Sequence, residues 1–172
     1  MRTTKKITIS AMIVALGAVF MSLGAVIELV DLSVAAFVSL FVVFAMIEIG
    51  MPYPWLIWVC TSLVTFLLFP GNTIWLMYLS FGAFPILKAY IERLPRAVWL
   101  LLKLVYLNVI IVALYFLTEL IFGLPLFEGA IWLCVIAYAF MNIAFLAYDR
   151  LLTIMVRVYF EKFRHRFIKF LK

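Results

Sequence analysis

The chain is short of nearly everything a soluble enzyme uses. Among 172 residues it has one histidine, two cysteines and eight acidic side chains. Charged residues make up 13%, where a soluble domain has about a quarter. The histidine, His165, lies in a basic tail with no cysteine or catalytic carboxylate pattern near it, so it reads as a solvated residue. Cys60 and Cys134 lie deep in apolar runs and neither adjoins a second metal ligand. Both are expected to be buried small hydrophobes. No H-E-x-x-H zinc helix, G-x-S-x-G elbow or G-x-x-x-x-G-K-[ST] phosphate loop occurs. Asp149 stands beside Arg150, with no second Asp on that helix to make a dyad. These absences argue against an enzyme and point to no metal and no cofactor.

What is abundant is apolar surface. Hydrophobic residues make up 69% of the chain, which predicts an all-α integral membrane protein. Six apolar segments are expected, at about 7–27, 32–50, 53–69, 73–91, 97–122 and 130–155. The first is long enough, at roughly 30 Å, to cross the hydrocarbon, and no cleavable signal peptide is expected, because a small-residue cleavage region is lacking. The breaks carry turn chemistry: Gly50, Pro52 and Pro54; Pro70, Gly71 and Asn72; Pro95; Gly123, Pro125 and Gly129. The third segment is short. Residues 1–155 are read as the membrane domain and 156–172 as a tail.

All fourteen lysines and arginines fall in three regions. Arg2, Lys5 and Lys6 precede the first segment. Lys88, Arg93, Arg96 and Lys103 surround the join between the fourth and fifth. The remaining seven, from Arg150 to Lys172, follow or close the sixth. With six crossings these regions share one side, which predicts both termini in the cytoplasm of a bacterial plasma membrane. The net charge of +6 is thus explained by topology, and no nucleic-acid partner is expected. In the tail, Val156, Phe160, Phe163, Phe167 and Phe170 recur at helical spacing among basic residues. They predict a basic amphipathic helix lying on the anionic leaflet. Glu48, near the cytoplasmic end of the second segment, is expected to reach water or to pair with Lys88 or Lys103. Asn108 and Asn142 lie deep in their segments and are expected to bond to each other or to backbone.

The opening stretch SAMIVALGAVFMSLGA has a side with almost nothing on it. At about 100° per residue, Ala11, Ala15, Ala18, Ser22 and Ala25 form one stripe, with Ser10, Gly17 and Gly24 beside it. Only Val14 and Met21 intrude. Small residues let membrane helices approach closely, so this stripe is expected to meet another helix.

A short chain of six spans opening TTKKITISAMIVALGAVF resembles the substrate-binding S component of an energy-coupling-factor (ECF) transporter. In that family the first helix carries an Ala-xxx-Ala motif, matched here by Ala11 to Ala15 with Ala18 continuing it. The second span lacks the Gly-rich, Pro-led pattern of many S components, and no single-vitamin signature matches. The resemblance implies a non-enzymatic micronutrient-binding subunit in the lipid bilayer. It implies docking on a T subunit through Ala11, Ala15, Ala18 and Ser22, with two ATPases as the engine. It also implies a small-molecule solute bound near the outer surface. At that depth the chain offers Asn72, Trp75, Tyr78, Tyr115, Glu119, Glu128, Trp132 and, further in, Tyr138 and Asn142. Carboxylate, amides and aromatics together suit a flat, cationic ring. The alternative is a non-catalytic scaffold of the MreD-like cell-shape type, in which the stripe and tail are partner surfaces and the aromatics are interfacial anchors.

Overall fold

The computed structural model describes residues 3–27, 30–123 and 131–163. Among them are six helices and no strand: α1 (Thr3–Val26), α2 (Asp31–Glu48), α3 (Tyr53–Leu68), α4 (Ile74–Ile91), α5 (Arg96–Phe122) and α6 (Ile131–Val158). One π-helical turn, Tyr159–Phe163, follows α6. All but α3 are long and apolar enough to cross a membrane, which fits a multi-pass membrane protein. At 16 residues, α3 spans only roughly 24 Å.

The helices end where the turn chemistry predicts. Gly50 takes φ 81°, a left-handed conformation that a side chain would resist, and closes α2. Pro52 and Pro54 then start α3, where a missing N–H costs nothing. After α3 the Asn72 N–H donates to Phe69 O at 3.1 Å, forming the turn into α4. At the amino end α1 already begins at Thr3, so Lys5 and Lys6 are helical. The expected tail is helical through Phe163; Arg164 to Lys172, with His165, lie outside the described residues.

The chain divides into two compact units. Unit 1 is Met1–Leu87 with Ile154–Lys172, and unit 2 is Lys88–Thr153. In unit 1, α1, α2 and α3 pack against one another. Their core includes Met21, Val38, Val42 and Ile57, and Ile74, Tyr78 and Ile86 join it from α4. A methyl added to Gly17 would lie 3.2 Å from Thr61 Cγ2 and 3.3 Å from Val38 Cγ1, so α1 meets its neighbours backbone to side chain there. Phe20, Phe37 and Phe41 close the α1–α2 seam edge to face, with centroids 5.2 to 5.9 Å apart. In unit 2, Leu107, Ile111, Leu114, Phe145 and Leu152 are buried.

Candidate functional site

Among the described residues, an open groove of about 200 Å³ lies in unit 1 between α3 and α4. From α3 it takes Trp58, Ser62 and Phe66, one helical turn apart, with Val59 and Leu63 at its lip. From α4 it takes Trp75 and Leu79. Phe66 and Trp75 meet edge to face at 4.9 Å. The Trp58 indole N–H donates to Leu79 O at 3.0 Å, bracing the two helices at one end. No ionised side chain lines the groove.

The solute residues expected from the sequence fall into several situations. Trp75 lines the groove. Tyr78 is 0% exposed and belongs to the core instead. Asn72 is structural: its Oδ1 accepts from Ile74 N–H at 2.8 Å and its Nδ2 donates to Ala25 O at 3.2 Å. It caps the start of α4 and fastens it to the end of α1. Tyr115, Glu119, Trp132 and Asn142 belong to unit 2. There Tyr115 packs on Phe116 at 5.7 Å, while Glu119 and Trp132 are exposed. Asn142 Nδ2 donates to Tyr138 O at 2.9 Å. Asn108 Oδ1 accepts a hydrogen bond from Tyr138 rather than from Asn142. Glu128 lies outside the described residues. Trp58, Ser62 and Phe66 were not anticipated, although their i, i+4, i+8 spacing in α3 marks a single face.

On α1 the buried positions are Gly17, Ala18, Met21 and Gly24. The chain's own helices therefore cover the flank beside the small stripe, and Met21, at 0% exposure, belongs to that flank. Ala18 sits on the border at 9%. Ser22 is half-buried, its Oγ donating to Ala18 O at 2.8 Å. Ala11 and Ala15 are exposed. The buried reading of both cysteines needs correction: Cys60 is exposed and Cys134 half-buried.

Unit 2 contains a charge cluster that the sequence did not announce. Asp149 on α6 holds two lysines. One carboxylate oxygen accepts from Lys88 and the other from Lys103 at 2.8 Å. Glu92 Oε1 reaches Lys103 at 3.0 Å and Lys88 at 3.4 Å. Lys88 also donates to Thr153 Oγ1 and to Asp149 O, both at 2.7 Å, and Lys103 lies 5.8 Å from the Trp99 ring centroid. The two lysine side chains are 9% and 7% exposed. Two positive and two negative groups thus tie Lys88 and Glu92 to α5 and α6 within unit 2. This overturns the expected pairing of Glu48 with a lysine. Glu48 accepts from the Tyr159 hydroxyl at 2.8 Å, within unit 1.

Among the described residues no group of His, Cys, Asp or Glu side chains is placed to hold a metal ion. The charge cluster pairs its own charges, so its chemistry is fastening. The groove combines space with aromatic rings and is apolar in lining. No protein-family model, curated protein or solved structure matches this chain.

Proposed function

We propose that the chain is the solute-binding membrane subunit of an ECF-type importer. In this reading it crosses a bacterial plasma membrane six times with both termini inside, α3 making the short third crossing. It binds a micronutrient-like solute from outside, and the T subunit and two ATPases supply the work. The observation that carries the reading is the exposure of Ala11 and Ala15. Elsewhere on α1 the exposed side chains include Ile7, Met12, Leu16, Val19 and Leu23. A small side chain facing hydrocarbon gains nothing, whereas one facing another helix permits close approach. The flank that the chain covers itself lies beside these two alanines, leaving them for a foreign helix. The absence of any phosphate-binding loop agrees with a subunit powered from elsewhere.

The test is affinity capture from detergent-solubilised membranes, followed by mass spectrometry of both the proteins and the denatured small-molecule extract. The natural chain should bring down a T subunit with its ATPases, together with a solute. Ala15→Leu should lower partner recovery at least tenfold and keep the solute. Met12→Leu, on the opposite exposed face, should change neither. Capture of cell-wall synthesis proteins, with no solute, would replace this reading by the MreD-like scaffold.

A further inference from the structure

We infer that the basic end of unit 2 binds the phosphate of an anionic phospholipid, with Arg93 and Arg150 as its cationic contacts. The acids of that end are already spent. Asp149 and Glu92 both reach Lys103, at 2.8 and 3.0 Å, and both also pair with Lys88. Two acids meet two buried lysines, so the cluster is neutral within itself. Arg93 follows Glu92 in the chain and Arg150 follows Asp149. Because the two carboxylates share one ammonium, the two arginines are brought to the same end of unit 2. Both are exposed. Among the described residues neither has a carboxylate within ion-pair distance. Two positive charges are therefore left over beside a cluster that has no acid to spare for them.

Arg93 is held in place. Its guanidinium carbon lies 5.2 Å from the centroid of the Tyr90 ring, within the range of a cation–π contact. A guanidinium resting on a ring keeps its edge N–H groups, the fork that matches a phosphate. The turn that carries it is braced at successive residues. Arg93 N–H donates to Tyr90 O at 3.2 Å and Leu94 N–H to Ile91 O at 3.0 Å. The Trp99 indole N–H donates to Leu94 O at 2.6 Å. Fixing a contact beforehand lowers what binding must later spend on ordering it. Leu94 and Leu151, each next in the chain to one of the arginines, are exposed, and so is Leu100 beside Trp99. Guanidinium, indole and aliphatic surface together suit the junction between a lipid headgroup and its acyl chains. A soluble phosphate would use the arginines and leave the leucines uncovered. A zwitterionic lipid brings its own ammonium, which competes with the arginines for the phosphate, so the occupant carries net negative charge. This lipid site lies beyond the proposed solute site and rests on the proposed topology only in facing the cytoplasmic leaflet.

The experiment is native mass spectrometry of the full chain in a neutral detergent, titrated with phosphatidylglycerol and with phosphatidylcholine of the same acyl chains. Phosphatidylglycerol should bind at least about fivefold more tightly, and Arg93→Gln with Arg150→Gln should weaken its first binding step at least about tenfold. Arg157→Gln with Lys162→Gln removes the same charge from the tail and should change that step by less than about threefold. Arg93→Lys keeps the charge and loses the fork, and should cost about threefold. Excess glycerol phosphate should leave the lipid bound. Equal binding of the two lipids would overturn the assignment, as would a double arginine variant that keeps phosphatidylglycerol or a tail variant that loses as much. Displacement by glycerol phosphate would overturn it in favour of a soluble phosphate. Should the double variant fail to fold, Arg93→Lys decides alone, an unchanged affinity counting against the site. Neither solute nor T subunit enters the titration, so its failure leaves the importer reading standing, and an ineffective Ala15→Leu leaves the lipid site standing.

Discussion

Among the described residues, the buried polar ones in unit 1 are Ser39, Thr61, Ser62, Thr65 and Ser80, all hydroxyls, whereas in unit 2 they are Lys88, Lys103 and Thr118. The apolar parts differ in parallel. Unit 1 has a core around Met21, Val38, Ile57, Ile74 and Tyr78, with glycines that let backbones close in. Among its described residues unit 2 buries fewer large side chains, and it ties its helices with Asp149, Glu92 and two lysines. In hydrocarbon, burying Leu against Leu replaces one apolar contact with another, so helices need close packing or polar fastening. Each unit relies chiefly on one of these. They should therefore fail under different substitutions.

The largest effect is expected at Asp149. Asp149→Ala leaves two buried lysines sharing only Glu92, and stranding a buried charge costs about 3 to 5 kcal/mol. An SDS titration of the full chain in mixed micelles should show this loss, with Trp99 fluorescence reporting on unit 2. Replacing Lys88, Glu92, Lys103 and Asp149 together by Met and Leu should recover most of it, because an apolar substitute for a whole ion cluster is often neutral or better. If the single substitution costs no more than a core change in unit 1, the contrast between the units is wrong.

Next comes Gly17→Val. The first added carbon would already sit 3.2 Å from Thr61 and 3.3 Å from Val38, and the branch adds two more. Overpacking of this kind costs about 1 to 3 kcal/mol. Ala15→Val, two residues away and exposed, should stay within about 0.5 kcal/mol. The same titration, read by near-ultraviolet circular dichroism, separates them. Equal losses would mean that the chain's own helices cover both flanks of α1.

These two sites also mark how far the sequence carries. Helix ends were legible because long apolar runs stop at Gly50, Pro52, Pro70 and Pro95, residues whose backbone limits are local. The small stripe was legible too, since helical periodicity is local. Which neighbour covers which flank is not local, and Met21 therefore looked like an intruder in the stripe when it belongs to the core. Trp75 and Tyr78, both expected at the solute's depth, stand three residues apart. Three residues turn a helix by about 300°, which leaves them about 60° apart, enough to put one in the groove and the other in the core. The lysine partners were out of reach altogether. Asp149 stands 61 residues from Lys88 and 46 from Lys103, and no pattern in the chain links them. Ser62 was within reach, as a hydroxyl between Trp58 and Phe66 on one face of an apolar helix.

A smaller effect is expected at the turn into α4. Asn72→Ala removes the acceptor for Ile74 N–H and the bond to Ala25 O. Loss of a cap of this kind costs about 1 kcal/mol. Asn72→Asp keeps the acceptor and loses the donor, so it should retain part of that. Hydrogen exchange at Ile74, faster in the Ala variant than in the Asp variant, would show the capping role directly. If Asn72 serves the solute instead, stability will hold and solute recovery will fall.

The smallest predicted effect sharpens the account of unit 2. Tyr138→Phe deletes the hydroxyl that donates to Asn108 Oδ1, while Asn108 Nδ2 keeps its bond to Leu104 O at 2.8 Å. Interhelical hydrogen bonds in membrane proteins average about 0.6 kcal/mol, and the loss should be of that size. Removing both partners, with Tyr138→Phe and Asn108→Leu together, should be nearly neutral, since no polar atom is then left waiting. A loss from Tyr138→Phe approaching that from Asp149→Ala would mean that the amide–phenol pair, and not the charge cluster, holds α5 to α6. The contrast between the two units would then rest on hydrogen-bond geometry in both, with charge as a passenger.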